Sequence, residues 1–266
     1  MSMYAIDDLR AAFGNLSGWS YLAAKRIQLE NRRTWIGTAW VVLAFGLTSA
    51  GIGVIMAQLQ GLSFMVHVPY VMFGFAAWNF IQNSVIAGCN VMVNAKPYLL
   101  QMKTARSVFP LSLTIRNLYL LILHALTACT VSAVIGWRPT FDGFWALGAV
   151  ALYLPFGFAA GLMLGLVCAR FRDIARLVES VMRLAFFFTP VIWVFGTRGS
   201  SDSEGVLAFL MKWNPFTYML QTFRSGLIGE APRLLDWAVT AGAAAVSAII
   251  AVLALQALGR RVTYWL

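Results

Sequence analysis

The sequence predicts an all-α protein that threads a lipid bilayer repeatedly, and three observations predict it. Residues 34–95 contain no Lys, Arg, Asp or Glu, and further charge-free runs occupy residues 117–137, 143–169 and 237–259. The composition is 60% hydrophobic and only 11% charged, too little charge to cover a water-soluble surface for 266 residues. The remaining charges are also sorted by side, as set out below. A bilayer core about 30 Å thick needs about 20 apolar residues of helix at roughly 1.5 Å each. The first run therefore holds two crossings with a turn between them. Six transmembrane helices follow, at residues 36–58, 69–90, 117–137, 143–169, 177–195 and 236–258 of a single transmembrane domain, 1–266.

With the N-terminus in the cytoplasm, fifteen of the twenty basic residues and five of the ten acidic ones fall inside, leaving five of each outside. The outer basic residues are Arg138, Arg198, Lys212, Arg224 and Arg233. Lys/Arg asymmetry orients helical membrane proteins, so both termini are expected to be cytoplasmic. Topology thus accounts for the formal net charge of +10, and no nucleic acid is expected as a partner.

Residues 1–33 read as a cytoplasmic lead-in, without the apolar stretch of a cleavable signal peptide. Trp19, Leu22, Ala23 and Ile27 share one side of it, with Lys25, Arg32 and Arg33 elsewhere, which predicts an N-terminal amphipathic interface helix on the membrane surface. Residues 93–110 are too polar to cross and too long for a tight turn. There Lys96, Lys103 and Arg106 interleave with Tyr98, Leu99, Leu100 and Met102. A cytoplasmic helix of that composition offers a docking surface to a soluble partner.

The outer connections at 59–68 and 138–142 are short, whereas residues 196–235 predict two short amphipathic helices re-entering the outer leaflet. Asp202 or Ser203 caps the first, which runs through Val206, Leu207, Phe209, Leu210 and Met211. Asn214-Pro215 opens the second, and Gly226 or Gly229 closes it.

Several residues inside the spans stand out. Thr189-Pro190 predicts a kink in span five, either a hinge for a gate or a static bend, because proline removes one backbone hydrogen bond and Thr can satisfy the freed carbonyl. Gly157, Gly161 and Gly165 make a small-residue ridge on span four, suited to packing within the subunit. Arg183 follows Glu179 by four residues, which suits an ion pair at the inner interface. The other reading groups Arg183 with Arg116, Arg172 and Arg176 as guanidinium contacts for a phosphate.

Catalytic chemistry is not expected. His67 and His124 lack acidic neighbours, Cys89, Cys129 and Cys168 lie in apolar spans, and neither HExxH nor GxSxG occurs, so no metal site is predicted. Lys103-Thr104 is the only Lys followed by Ser or Thr, and Met102 stands where a P-loop needs Gly. If ATP and Mg are used, another chain binds them.

Four stretches together carry a resemblance. Arg32-Arg33-Thr-Trp-Ile-Gly37-Thr-Ala-Trp40 resembles the start of the first span of ABC-2 type transporter permeases. The run from Asn94 through Lys96-Pro-Tyr98 and Lys103-Thr-Ala-Arg106 to Phe109-Pro110 is similar to their cytoplasmic coupling segment. Arg170-Phe-Arg172-Asp173-Ile174, then Phe186-Phe-Phe-Thr189-Pro190-Val191, resembles their loop into span five and that span's Thr-Pro-Val. Trp213-Asn214-Pro215 through Phe223-Arg224 is similar to their outer Asn-Pro…Arg element. The first span departs from the pattern at Val41–Phe45, where relatives often carry a proline.

The length, lead-in helix and small outer region resemble the members that export polysaccharides such as O-antigen and capsule. That resemblance implies a homodimeric half-transporter of the bacterial inner membrane, working with two copies of a separate ATPase on a lipid-linked polysaccharide. It implies ATPase coupling through Tyr98, Leu99, Met102, Lys103 and Arg106, with Trp19 and Arg26 of the lead-in. It further implies a channel lined from the first and fifth spans, for which Trp35, Trp40, Phe186, Phe187, Phe188, Trp193 and Phe195 offer flat faces for sugar rings. Lipid contact is the competing reading of the same aromatics. Two alternatives stay open: an exporter of another polymer, lipid or drug, and a membrane enzyme that modifies glycolipids.

Overall fold

A computed structural model describes residues 4–31, 37–102, 104–193 and 206–266, and these are helical, with no strand among them. In chain order the helices are α1 (Tyr4–Gly14), α2 (Leu16–Asn31), α3 (Ala39–Gln60), α4 (Phe64–Cys89), α5 (Val91–Asn94), α6 (Lys96–Gln101) and α7 (Val108–Ile135). They continue as α8 (Phe144–Arg170), α9 (Asp173–Phe187), α10 (Val206–Trp213), α11 (Pro215–Ile228), α12 (Leu234–Leu258) and α13 (Val262–Trp265). Five are long and apolar enough to cross a membrane: α3, α4, α7, α8 with its leading 3-10 turn, and α12.

Helix α4 is the hub, packed against α3, α7, α8, α9 and α11, and most of its length is buried. Lipid tails are as apolar as side chains, so such helices associate through close van der Waals packing. Small residues supply it. A Cβ on Gly88 would stand 2.8 Å from the Cα of Gly161, and one on Gly165 would stand 2.5 Å from Val91 Cγ1. The ridge on α8 is therefore a seam with the inner end of α4 and with α5, inside the subunit.

Two predicted boundaries move. The third span begins at Val108 rather than at residue 117, because Pro110 falls in the first turn, where its missing N–H costs nothing. The predicted coupling helix over 93–110 is two short helices, α5 and α6, followed by non-helical backbone. The lead-in is likewise divided, since Asn15 Oδ1 accepts from Gly18 N at 3.0 Å and caps a fresh helix, α2.

The fifth span, predicted as one kinked helix over 177–195, is corrected. Helix α9 has 15 residues, about 22 Å long, short of the hydrocarbon thickness. Pro190 lies beyond its end and terminates it instead of bending it. The chain climbs on as a buried turn at Thr189–Val191, then passes to residues 194–195, which lie outside the described ones, as do Asp202 and Ser203.

Both termini meet at one end of the bundle. Ala5 N donates to Gln256 Oε1 of α12 at 2.8 Å, and Lys96 Nζ of α6 donates to the Leu266 carbonyl. This end is termed inner, after the side that the charge distribution predicts for the termini. At the opposite, outer end, Trp137 Nε1 of α7 donates to the Leu227 carbonyl of α11 at 3.0 Å. The start of α11 sits much deeper: Phe216 makes an edge-on ring contact with Trp78, near the midpoint of α4. Helix α11 thus runs from mid-bundle to the outer end, a re-entrant course.

Candidate functional site

The turn after α9 is held on every side. Thr189 N bonds to the Phe186 carbonyl at 3.3 Å, leaving the Ala185 carbonyl to be taken by Thr189 Oγ1 at 2.7 Å. A γ-turn then wraps Pro190, with Val191 N 2.7 Å from the Thr189 carbonyl. Asn214 works in two directions. Its Oδ1 accepts from Phe216 N at 3.0 Å and caps α11, while its Nδ2 donates to Thr189 Oγ1 at 2.8 Å and to the Phe188 carbonyl at 3.3 Å.

Arg224 closes the clamp. Its Nη1 donates to the Pro190 carbonyl at 2.8 Å, and its guanidinium lies 3.5 Å from the Tyr70 ring centre. Tyr70 itself donates to the Trp193 carbonyl at 3.0 Å. Gly74 makes the room, since a Cβ there would stand 3.0 Å from the Val191 oxygen and 3.3 Å from Arg224 Nη1. Irregular backbone at bilayer depth is tolerated only where protein satisfies its polar groups, and this clamp does so. Arg224 is fully buried, and among the described residues its Nε and Nη2 have no hydrogen-bond partner.

The expected channel residues fall into separate groups. Phe186 is half-buried against Phe75 and Trp78, each 5.7 Å away between ring centres. Phe187 is exposed with its ring 5.7 Å from that of Phe186, Trp193 is exposed, Phe188 is half-buried, and Trp40 is exposed on α3. Trp35 and Phe195 lie outside the described residues. The expected hinge residues Thr189 and Pro190 are both buried in the clamp.

The arginines split similarly. Arg172, Arg176 and Arg183 stand exposed at helical spacing on α9 or its N-cap. Arg183 Nη2 reaches Ser180 Oγ at 3.4 Å, so the contact is with Ser180 rather than the expected Glu179. Arg116 belongs to α7, where its Nη1 donates to Asn117 Oδ1, and Asn117 Nδ2 donates in turn to Ser84 Oγ on α4, both at 3.2 Å.

At the inner end, Tyr98, Leu100 and Met102 are exposed, whereas Leu99 is buried in the core below and cannot present itself to another chain. Lys103 lies outside the described residues, and Trp19, Arg26 and Arg106 are half-buried. Asp8 joins this surface to the termini. Its carboxylate accepts from Arg106 N at 2.9 Å, Ser107 N at 3.0 Å and Ser107 Oγ at 2.7 Å. The Tyr4 phenol donates to it at 3.4 Å, with its pKa pushed up to about 12, first by burial and then by Asp8.

The sequence model of the ABC-2 type transporter family matches residues 20–228, from α2 to the end of α11. This chain belongs to the ABC-2 type transporter family. Among similar proteins, the O-antigen export system permease protein RfbA of Myxococcus xanthus is 23% identical over 230 residues, 86% of each chain. The protein of the same name from Klebsiella pneumoniae is 27% identical over 126 residues, 45% of this chain and 44% of that one. In this ABC-2 chain the match spans both the clamp around Pro190 and the α5–α6 segment.

Two residues of the site escape a reading by composition. Arg224 counts as one more outer charge, though it is the lone charged residue from 213 to 229, a signal of burial in hindsight. Asp8 carries no local signal, since its partners lie 98 and 99 positions away.

Proposed function

We propose that this ABC-2 chain is the membrane subunit of an exporter of lipid-linked cell-surface polysaccharide, of the O-antigen or capsule type, in the bacterial inner membrane. It works as a homodimer with two copies of a separate ATPase, which holds the ATP and Mg. The chain crosses six times, α9 and the turn after it making the fifth crossing, with both termini cytoplasmic. The observation that supports this best is α9. Arg172, Arg176, Glu179, Ser180 and Arg183 are exposed along it, uncovered by the rest of the subunit. Charged groups at membrane depth face protein or water, so this stripe lines an aqueous passage completed by a second copy. A hydrated glycan with a phosphate-bearing lipid carrier is a cargo such a passage serves, the guanidinium groups contacting the phosphate and exposed Phe187, Trp193 and Trp40 offering faces to sugar rings.

Energy enters at the inner end of the subunit: Tyr98, Met102, Lys103 and Arg106, with Leu100 beside them and Trp19 and Arg26 on α2, meet the ATPase. The likeness to one O-antigen permease over 86% of the chain, at 23% identity, favours this cargo. Deletion of the gene tests it. Loss of surface polysaccharide with lipid-linked polymer retained inside is the expected result, and Arg183→Ala should reproduce it with normal assembly. Unaltered surface glycan in the deletion strain would transfer the protein to another cargo.

A further inference from the structure

We propose that Asp8 is a positioning residue for transport: α1 is a strap through which movement of the ATPase-facing segment reaches the inner end of α12. The inference rests on the docking reading above and adds the route that motion takes inside the subunit.

Helix α7 begins with orphan N–H groups and the positive end of a helix dipole. Its own N-cap, Ser107, is in the helical region (φ −66°, ψ −16°) and makes no side-chain cap bond. Its hydroxyl donates to Asp8 instead, and Asp8 takes the N–H groups of Arg106 and Ser107. A local Asp or Thr would cap this helix as well as a residue 99 positions away, so the long-range choice binds two elements together. The second anchor lies one turn along α1, where Ala5 N donates to Gln256 Oε1 of α12 at 2.8 Å.

The strap is tightly seated. Ala5 and Ala12 have no exposed surface, and Gly259 packs so closely under Tyr4 that a Cβ there would stand 2.5 Å from Tyr4 Cε1. Arg106 and Arg260 flank the Tyr4 ring, their guanidinium carbons 5.9 Å and 5.2 Å from its centre. From the end of α6 at Gln101 only a few residues lead to the Asp8 contacts, so α6 cannot shift far without pulling on α1. Two fixed points on one rigid helix pass that displacement to α12, whose inner half packs in the same buried cluster as Ala5 and Leu99.

The test is hydrogen exchange on the purified complex with its ATPase, with and without ATP plus vanadate, for wild type, Asp8→Ala and Asp8→Asn. In wild type, nucleotide should alter exchange at residues 96–101 and also at residues 251–266. In Asp8→Ala the first response should persist and the second vanish, while export falls roughly tenfold at unchanged ATP hydrolysis, within the range that coupling between sites spans. Asp8→Asn keeps one oxygen acceptor, so it should fall between the two, and it carries the comparison if the alanine variant fails to assemble. A response at 251–266 of equal size in either variant and wild type would overturn the strap alone. No nucleotide response at 96–101 in wild type would overturn the docking reading, and the strap with it.

Discussion

Arg224 holds Pro190. Its Nη1 stands 2.8 Å from the Pro190 carbonyl, with the Tyr70 ring 3.5 Å from the guanidinium, and Nε and Nη2 find no hydrogen-bond partner among the described residues. A buried charge with orphan donors is costly, and a same-sized apolar group can be as stable. We therefore expect Arg224→Met to stay within about 1 kcal/mol of wild type, the lost bond offset by relief of desolvation. Arg224→Ala, which also opens a cavity, should lose roughly 3 kcal/mol. Thermal unfolding in detergent reads both, and equal losses would refute the argument.

Asn214 has separable duties. Asn214→Asp keeps the oxygen that caps α11 but loses the two donations to Phe188 and Thr189, and should cost about 1 kcal/mol. Asn214→Ala removes cap and donors alike and should cost about twice that. The same unfolding measurement ranks them.

The seam between α4 and α8 is asymmetric. A methyl at Gly88 meets the Gly161 backbone at 2.8 Å, whereas one at Gly161 meets nothing closer than Pro110 Cβ at 3.6 Å. Gly88→Ala should therefore destabilise by about 1–3 kcal/mol, the usual cost of overpacking, and Gly161→Ala by clearly less. Parity between them would mean that the helices separate freely.

Adjacent leucines should behave oppositely. Leu99→Ala removes a buried side chain and should lower stability by roughly 2–5 kcal/mol. Leu100→Glu, at an exposed position, should leave stability unchanged and reduce recovery of the ATPase on co-purification. Full recovery with Leu100→Glu would move the docking surface elsewhere.

Topology can be read by labelling. Cysteines placed at Leu100 and Tyr264, both exposed at the inner end, should react from the cytoplasmic side, and one at Phe141, 92% exposed, from the opposite side. Opposite sides for Leu100 and Tyr264 would remove the even number of crossings between them, and a shared side for all three would remove the crossing by α7.

Legibility in the sequence followed the range of the forces. The long apolar runs and the glycine spacing on α8 are local patterns, and α3, α4, α7, α8 and α12 lie where hydropathy puts them, apart from their ends. The start of α11 is equally plain, because Asn214-Pro215 caps by local geometry, while of the two glycines open for its end the structure selects the left-handed Gly229 (φ +87°). The start of α7 is not legible because Arg116 ends the charge-free run, although the helix continues back through it to Val108. The end of the fifth span is not legible because composition registers a hydrophobic stretch and not where its helix stops.

By itself the amino-acid order determined the solvent, the helical class and the sorting of charge, since lipid imposes those constraints residue by residue. Only the tertiary structure decided that Leu99 points inward while Leu100 does not, that Pro190 ends a helix, and that Arg224 and Asp8 each fasten distant backbone. The physical reason is that a buried polar atom's partner is chosen by the folded surroundings, and those surroundings here come from 34 and 99 positions away.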